Sequence, residues 1–245
     1  MYLIIDIGNT EIKTCLVNGR FKIIKKIIFK TKKIEYSILK KNLKFIKKKN
    51  LKIKETIISS VVPNAFLIIK SFLKKEKVKF KELKKYKISK VLKISVNLKQ
   101  VGSDRLANAI SVKDQKNNFI IIDFGTATTF DIVLKNRYLG GVIAPGIKLS
   151  LNTLISNASL IPEMSLSKIY NVVGKNTKAA VKSGFYLGYI GLIEKIVYLI
   201  KKQTKKKFKI IMTGGYSHLF QKALNFRNNI DKDLTIKGLI KVLKI

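Results

Sequence analysis

The sequence of 245 residues predicts an α/β protein made of two duplicated domains. Three observations carry that prediction. Short apolar strands alternate with segments of helical periodicity. The stretch Ile4-Ile5-Asp6-Ile7-Gly8 returns as Ile121-Ile122-Asp123-Phe124-Gly125, and each copy is followed by a second and a third strand. The boundary is expected in Lys113–Asn118, a polar stretch without apolar periodicity, giving domains over 1–115 and 116–245. With 47% hydrophobic residues the chain can fill a core at this length, so a net charge of +37 does not imply disorder.

The elements follow in order. Tyr2 to Gly8 reads as a strand ending in a glycine turn, then Glu11 to Val17 and Phe21 to Phe29 as two more. Ile34 to Lys49 repeats Ile34, Ile38, Leu43 and Ile46 at helical spacing. Thr56 to Val62 is a β-branched buried strand closed by Pro63, Phe66 to Leu73 a helix and Val91 to Val96 a short strand. Asp104 is expected to open a helix as its N-cap. The pattern then restarts: strand Phe119–Asp123, turn, strand Ala127–Leu134, strand Tyr138–Ile143, with a helix from Pro145-Gly146. Thr177 to Lys202 is a long helix, Lys209 to Met212 a strand running into Gly214-Gly215, and a short helix and Leu234 to Leu243 close the chain.

Composition excludes several classes of function. One cysteine, Cys15, makes no disulfide framework, and with the single His218 it is too few ligands for zinc. No basic segment precedes the first apolar run, which Asp6 interrupts, so no signal peptide is expected. The longest helical apolar run, Gly184 to Ile193, is half of what a bilayer needs, roughly twenty residues, and a cytoplasmic protein without membrane partner is expected. The positive charge is almost all lysine, arginine occurring only at 20, 105, 137 and 227. Bidentate readers of nucleic acid rely on arginine, so the excess reads as compositional drift on solvated faces, and no specific nucleic-acid partner is expected. Acids are scarce, and four of the fourteen lie in small-residue turns.

Those turns carry the chemistry. A strand ending in Asp-x-Gly presents a carboxylate, backbone N–H groups and a nearby hydroxyl at one point, which suits a metal-bound polyphosphate. Two such turns, with Gly214-Gly215 after a third apolar strand, suggest two domains facing a nucleotide. The phosphate-loop pattern G-x-x-x-x-G-K-[ST] is absent, and no G-x-G-x-x-G follows the first strand.

Asp6-Ile-Gly-Asn-Thr10, Gly102-Ser-Asp-Arg105, Asp123-Phe-Gly-Thr-Ala-Thr-Thr129, Gly140-Gly-Val-Ile-Ala-Pro-Gly146 and Gly174-Lys-Asn-Thr177 resemble, in order, the motif series of the type III pantothenate kinases. That family belongs to the superfamily of acetate and sugar kinases, heat-shock chaperone ATPases and actin. The resemblance implies two actin-like (ribonuclease H-like) domains with the nucleotide site in the cleft between them. It implies transfer of the γ-phosphoryl group of ATP to pantothenate, giving 4'-phosphopantothenate, the first step of coenzyme A biosynthesis. It further implies a homodimer that uses magnesium or another divalent cation, and potassium or ammonium.

By the same resemblance Asp6, Ile7, Gly8, Asn9, Thr10, Glu11, Ile12 and Lys13 form the first phosphate loop, with Asp6 reaching magnesium through water. Thr126 meets a nucleotide phosphate, and Gly214 and Gly215 lie near adenosine. Gly102, Ser103, Asp104 and Arg105 hold pantothenate, Asp104 as the proton acceptor; Thr177 contacts pantothenate, and Asp123 takes the monovalent cation. Physical chemistry agrees for the pair Asp104-Arg105: a cation beside a carboxylate keeps it ionised, and a guanidinium suits the carboxylate of the substrate.

The sequence departs from the family at Ser95 and Leu98, where the pattern carries a substrate-contacting Tyr and a Pro. His218 reads as a capping or surface residue, and Cys15 as core. Gly184, Gly188 and Gly191 read as a close-packing face of the long helix, against an intrachain neighbour or a dimer partner. The alternatives are another small-molecule kinase of the superfamily and a catalytically inactive basic regulatory or nucleic-acid-binding protein. The motifs around Asp104 and Thr177 argue against the first, and the intact acids Asp6, Asp104 and Asp123 against the second.

Overall fold

The structure, a computed structural model, describes residues 1–47 and 51–244. The chain divides into two compact units, one of residues 1–113, 136–138 and 233–245, the other of residues 114–135 and 139–232.

In the first unit β1 (Tyr2–Ile7), β2 (Glu11–Val17) and β3 (Ile23–Lys30) form an antiparallel meander. The β2–β3 turn is built on Asn18, whose Oδ1 accepts from the N–H groups of Arg20 and Lys22, and Phe21 takes the left-handed conformation (φ 59°). The chain then crosses through α1 (Tyr36–Asn42) to β4 (Glu55–Ser60), which runs parallel to β1, and through α2 (Pro63–Lys75) to the two-residue β5 (Lys81–Glu82). The sheet order is β3-β2-β1-β4-β5. Pro63 does not merely end the strand before it; it occupies the first turn of α2, where its missing N–H costs nothing. The helix expected over Ile34–Lys49 is shorter, since Leu43 leaves helical geometry and a 3-10 turn follows at Lys44–Lys47; Lys48 and Lys49 lie outside the described residues.

One face of this sheet, through Leu3, Ile5, Ile7, Ile12 and Ile58, packs on α2 through Ala65, Ile69, Phe72 and Leu73. The opposite residues face α3 (Ser103–Val112) and α7 (Leu234–Leu243), which pack on each other and on β1 and β4. Residues 233–245 thus fold with the first unit, whereas the sequence boundary put them in the second domain. The reason is local: Gly238 lets α7 approach so closely that a Cβ there would lie 1.9 Å from the Ala107 carbonyl oxygen. The Thr235 hydroxyl also bonds the wholly buried Asn108 (2.9 Å). The strand expected over Val91–Val96 reduces to β6 (Lys93–Ile94), paired with Arg137 and Tyr138.

The second unit repeats the plan with β7 (Asn118–Phe124), β8 (Ala127–Leu134), β9 (Arg137–Pro145, belonging to this unit from Leu139 on), β10 (Lys209–Gly214) and β11 (Asn228–Ile230), ordered β9-β8-β7-β10-β11. β7 pairs antiparallel with β8 and parallel with β10, as β1 does with β2 and β4. Ile120, Ile122, Phe124, Phe130 and Ile132 pack against α4 (Ile147–Asn157), α5 (Thr177–Thr204) and α6 (Ser217–Phe220). Phe124 stacks on Phe220 at 5.4 Å and Tyr186 on Phe220 at 5.6 Å, fixing the carboxyl end of β7 against α5 and α6.

α5 has the length and hydropathy to cross a bilayer, but its Tyr186, Tyr189, Ile193, Val197 and Ile200 belong to this core. They recur every three or four residues, the period of one buried helix stripe. Gly184, Gly188 and Gly191 lie off that stripe, and a Cβ at any of them meets nothing within 4 Å, so no neighbour among the described residues explains them.

Candidate active site

The first turn of each unit leaves its sheet where a carboxylate stands. Asp6, 8% exposed, is one residue from the end of β1 and pairs with Lys13 across the hairpin and with Ser59 on β4. The turn is closed by a 3.0 Å bond from the Gly8 N–H to the Glu11 carbonyl. It is tied down further by the Thr31 hydroxyl on the Gly8 carbonyl (2.7 Å) and the Thr31 N–H on the Thr10 carbonyl (3.0 Å). Asn9 and Thr10 are exposed at its tip, while the side chains of Ile7 and Ile12 are wholly buried, so these two can offer a ligand only backbone groups. Glu11 is paired with Lys30 at 3.0 Å on the surface.

In the second unit Asp123 occupies the matching register, opposite Thr129 on β8 and Thr213 on β10. Its turn is one residue shorter, with the Gly125 N–H bonded to the Ala127 carbonyl at 3.1 Å. Two glycines press backbone against this turn. A Cβ on Gly146 would lie 2.0 Å from the Thr126 carbonyl oxygen, and one on Gly214 2.6 Å from the Phe124 backbone. Gly214 also adopts φ +87°, which disfavours any residue with a side chain. Gly125, Thr126 and Gly215 are exposed, so the unit presents bare backbone and one hydroxyl where a phosphate or a flat base can approach.

Asp104 opens a helix as expected, but from its first turn and not as its N-cap. Gly102 is the N-cap of α3, and Asp104 is the second helical residue. Its Oδ1 accepts the Arg105 N–H at 2.7 Å, and a Cβ on Gly102 would stand 2.5 Å from that same oxygen and 3.7 Å from Val61. Gly102 thus makes room for the carboxylate beside the chain leaving β4. Burial pushes the Asp104 carboxyl above the usual carboxylate range, outweighing the Arg105 N–H and guanidinium, which pull it down. The expected dominance of the cation is corrected: desolvation is the larger effect.

The last motif is explained by helix geometry. Gly174 packs so tightly on the first turn of α5 that a Cβ would lie 2.2 Å from the Ala180 nitrogen. Asn176 caps the helix by accepting the Ala179 N–H at 2.9 Å, and Thr177, the first helical residue, is exposed. Ser95 is exposed and donates its N–H to the Tyr138 carbonyl (3.0 Å), and Leu98 opens a 3-10 turn capped by Asn97. Cys15 is wholly buried, its thiol pushed up to about 11 by burial, and His218 is exposed. Sequence reasoning did not single out Ser59 and Thr213, the hydroxyls beside the two strand-end aspartates. The available signal was a hydroxyl interrupting an otherwise apolar strand just before its end.

Two units of like topology, each turning at a carboxylate beside exposed backbone, define a two-domain protein of the actin-like fold. The inorganic polyphosphate/ATP-glucomannokinase of Arthrobacter sp. strain KM shares this fold, with a TM-score of 0.52 at 12% identity over 100% of this chain and 99% of that one. Sequence goes further. The model of the type III pantothenate kinase family matches residues 2–198. The type III pantothenate kinase of Pelagibacter ubique (strain HTCC1062) is 55% identical over 242 residues, covering 98% of each chain. That of Sulfurihydrogenibium sp. (strain YO3AOP1) is 37% identical over 247 residues, again covering 98% of each. The chain belongs to the type III pantothenate kinase family.

Proposed function

We propose that this chain transfers the γ-phosphoryl group of ATP to the primary hydroxyl of pantothenate, forming 4'-phosphopantothenate at the first step of coenzyme A biosynthesis. The observation that carries the reading is Asp104, a part-buried carboxylate clamped by the Arg105 N–H at 2.7 Å under a glycine that has no room for a side chain. A primary alcohol is a poor nucleophile, and a carboxylate with a raised affinity for protons orients the hydroxyl and takes its proton as the bond to phosphorus forms. Arg105 binds the pantothenate carboxylate, with Gly102, Ser103 and Thr177 completing the contacts. Little else is asked of the protein, because phosphoryl transfer depends on positioning and charge neutralisation.

The turn from Asp6 to Lys13 holds phosphate oxygens through its N–H groups, the Thr10 hydroxyl and the Lys13 ammonium. Thr126 holds another phosphate, and Gly214 and Gly215 lie against adenosine. The donor sets fit cations: Asp6 is a nearly buried carboxylate suited to the water shell of magnesium, and Asp123 a carboxylate within 3.8 Å of the Gly125 Cβ position, suited to potassium or ammonium. These ions neutralise the polyphosphate charge.

A homodimer accounts for the apolar surface of the second unit. Ile143 is 63% exposed, Leu160 89%, Tyr170 87% and Val173 81%, and the glycine face of α5 is open. The enzyme acts in the cytoplasm, without membrane or specific nucleic-acid partner. Arg105→Lys tests the substrate assignment in steady-state kinetics. The KM for pantothenate should rise at least tenfold, because lysine cannot reproduce a bidentate fork, while the KM for ATP stays unchanged. A shift in the ATP value alone would contradict the assignment.

A further inference from the structure

Ser59 is wholly buried in the first unit, and its hydroxyl has no hydrogen-bond partner among the described residues. A hydroxyl in that state is costly to keep, and an alanine would fill nearly the same space without the cost. Its place is what distinguishes it. Ser59 is the register partner of Asp6 on the parallel strand β4, so the two side chains leave the same face of the sheet about 4.8 Å apart at the backbone. Two residues further on, the Val61 side chain lies 3.7 Å from the Cβ position of Gly102, the glycine that faces the Asp104 carboxylate. The hydroxyl therefore stands beside Asp6 near the carboxyl end of β4, two residues before Val61. The second unit repeats the arrangement, with Thr213 in register beside Asp123 and also buried. A strand-end aspartate with a buried hydroxyl on the neighbouring parallel strand is thus present twice.

We propose that Ser59 is a positioning residue for Asp6, its hydroxyl anchoring a water molecule that in the loaded enzyme belongs to the hydration shell of the divalent cation. The proposal rests on the reading of Asp6 as a water-mediated cation residue. A buried water needs two to four polar partners, and the Ser59 hydroxyl and the Asp6 carboxylate supply two of them on one face. Magnesium keeps several of its waters when bound, so a protein holds it chiefly by fixing those waters. A hydroxyl that fixes one sets the geometry of the shell without touching the ion, and losing such a partner typically weakens metal binding about 10–100-fold.

The test is manganese binding to the enzyme with ADP, read from the electron paramagnetic resonance signal of free Mn²⁺, for the wild type, Ser59→Ala, Ser59→Thr and Asp6→Asn. Ser59→Ala should raise the dissociation constant about tenfold or more, Ser59→Thr should stay near wild type, and the melting temperature of Ser59→Ala should not fall. Wild-type manganese affinity in a folded Ser59→Ala, beside a clear loss in Asp6→Asn, would overturn the role of Ser59 while leaving that of Asp6 intact. Wild-type affinity in Asp6→Asn would overturn the Asp6 reading and the proposal with it. Ser59→Cys, nearly isosteric and a weak donor, decides the same question with the same expected loss if the alanine variant does not fold.

Discussion

Replacing Gly102 by alanine perturbs Asp104, the proposed proton acceptor, without touching it chemically. Gly102 has φ −57° and ψ 142°, which alanine adopts freely, so the backbone is not strained. The new Cβ, however, would lie 2.5 Å from Asp104 Oδ1, and relief to 3.4 Å moves the carboxylate by about 0.9 Å. A displacement of that size takes Oδ1 away from the Arg105 N–H, now at 2.7 Å. A bond of this kind to a charged group contributes about 1.5–3 kcal/mol, and a misplacement of about 1 Å costs roughly 10²-fold in rate. Turnover should fall by about 10²-fold. The N–H favours the ionised carboxyl, so losing it raises the Asp104 pKa further, and the acidic limb of the pH–rate profile should move to higher pH. Gly238→Ala is the contrast: its Cβ would meet the Ala107 backbone at 1.9 Å, lowering stability by about 1–3 kcal/mol or more without moving that limb. Steady-state kinetics across pH and thermal melts of both variants decide the matter. Wild-type turnover and an unmoved limb in Gly102→Ala would refute the reasoning.

Asp104→Asn should remain folded, keep ATP affinity and lose turnover by about 10²–10⁴-fold, measured with saturating substrates. Burial raises the Asp104 pKa above its ordinary value of 3.8, so the stability this group contributes is fully present below about pH 4 and lost as pH rises through the folded value. Melts should therefore show the Asn variant gaining on the wild type as the pH rises above about 4. Asp123→Asn should weaken the dependence of the rate on potassium or ammonium; equal wild-type activity in sodium alone, with the variant unaffected, would remove the assignment. With a net charge of +37 carried by lysine, any binding to DNA should be sequence-indifferent and collapse between 50 and 200 mM salt in a fluorescence titration, because only phosphate contacts contribute.

The duplication was legible because it is written in buried strands. Ile4-Ile5-Asp6 and Ile121-Ile122-Asp123 must each fill a sheet interior, and the equal strand order around β1 and β7 follows. Gly102, Gly146, Gly174 and Gly214 all turned out to face backbone or a carboxylate at distances no Cβ tolerates, and each lies in a motif or turn the sequence singled out. What sequence periodicity did not reveal was tertiary. Leu234–Leu243 reads as the end of the second half, and its packing on α3, β1 and β4, closest at Gly238, assigns it to the first unit. Asp104 looks like an N-cap because aspartate favours that place, yet Gly102 takes it, and the carboxylate accepts the Arg105 N–H from within the first turn. The balance between burial and Arg105 at Asp104 depends on the packing around α3, which no local pattern encodes. Ser59 was silent for the same reason: its partner in register is fifty-three residues away.

The most direct measurement is product formation from ATP with magnesium and potassium, followed by phosphorus NMR and mass spectrometry, offering pantothenate beside a panel of sugars and short carboxylates. The account predicts one phosphorylated product, 4'-phosphopantothenate, formed by the wild type and suppressed about 10²-fold or more in Asp104→Asn. Phosphorylation of a sugar in preference to pantothenate, or transfer to pantothenate undiminished in Asp104→Asn, would contradict it.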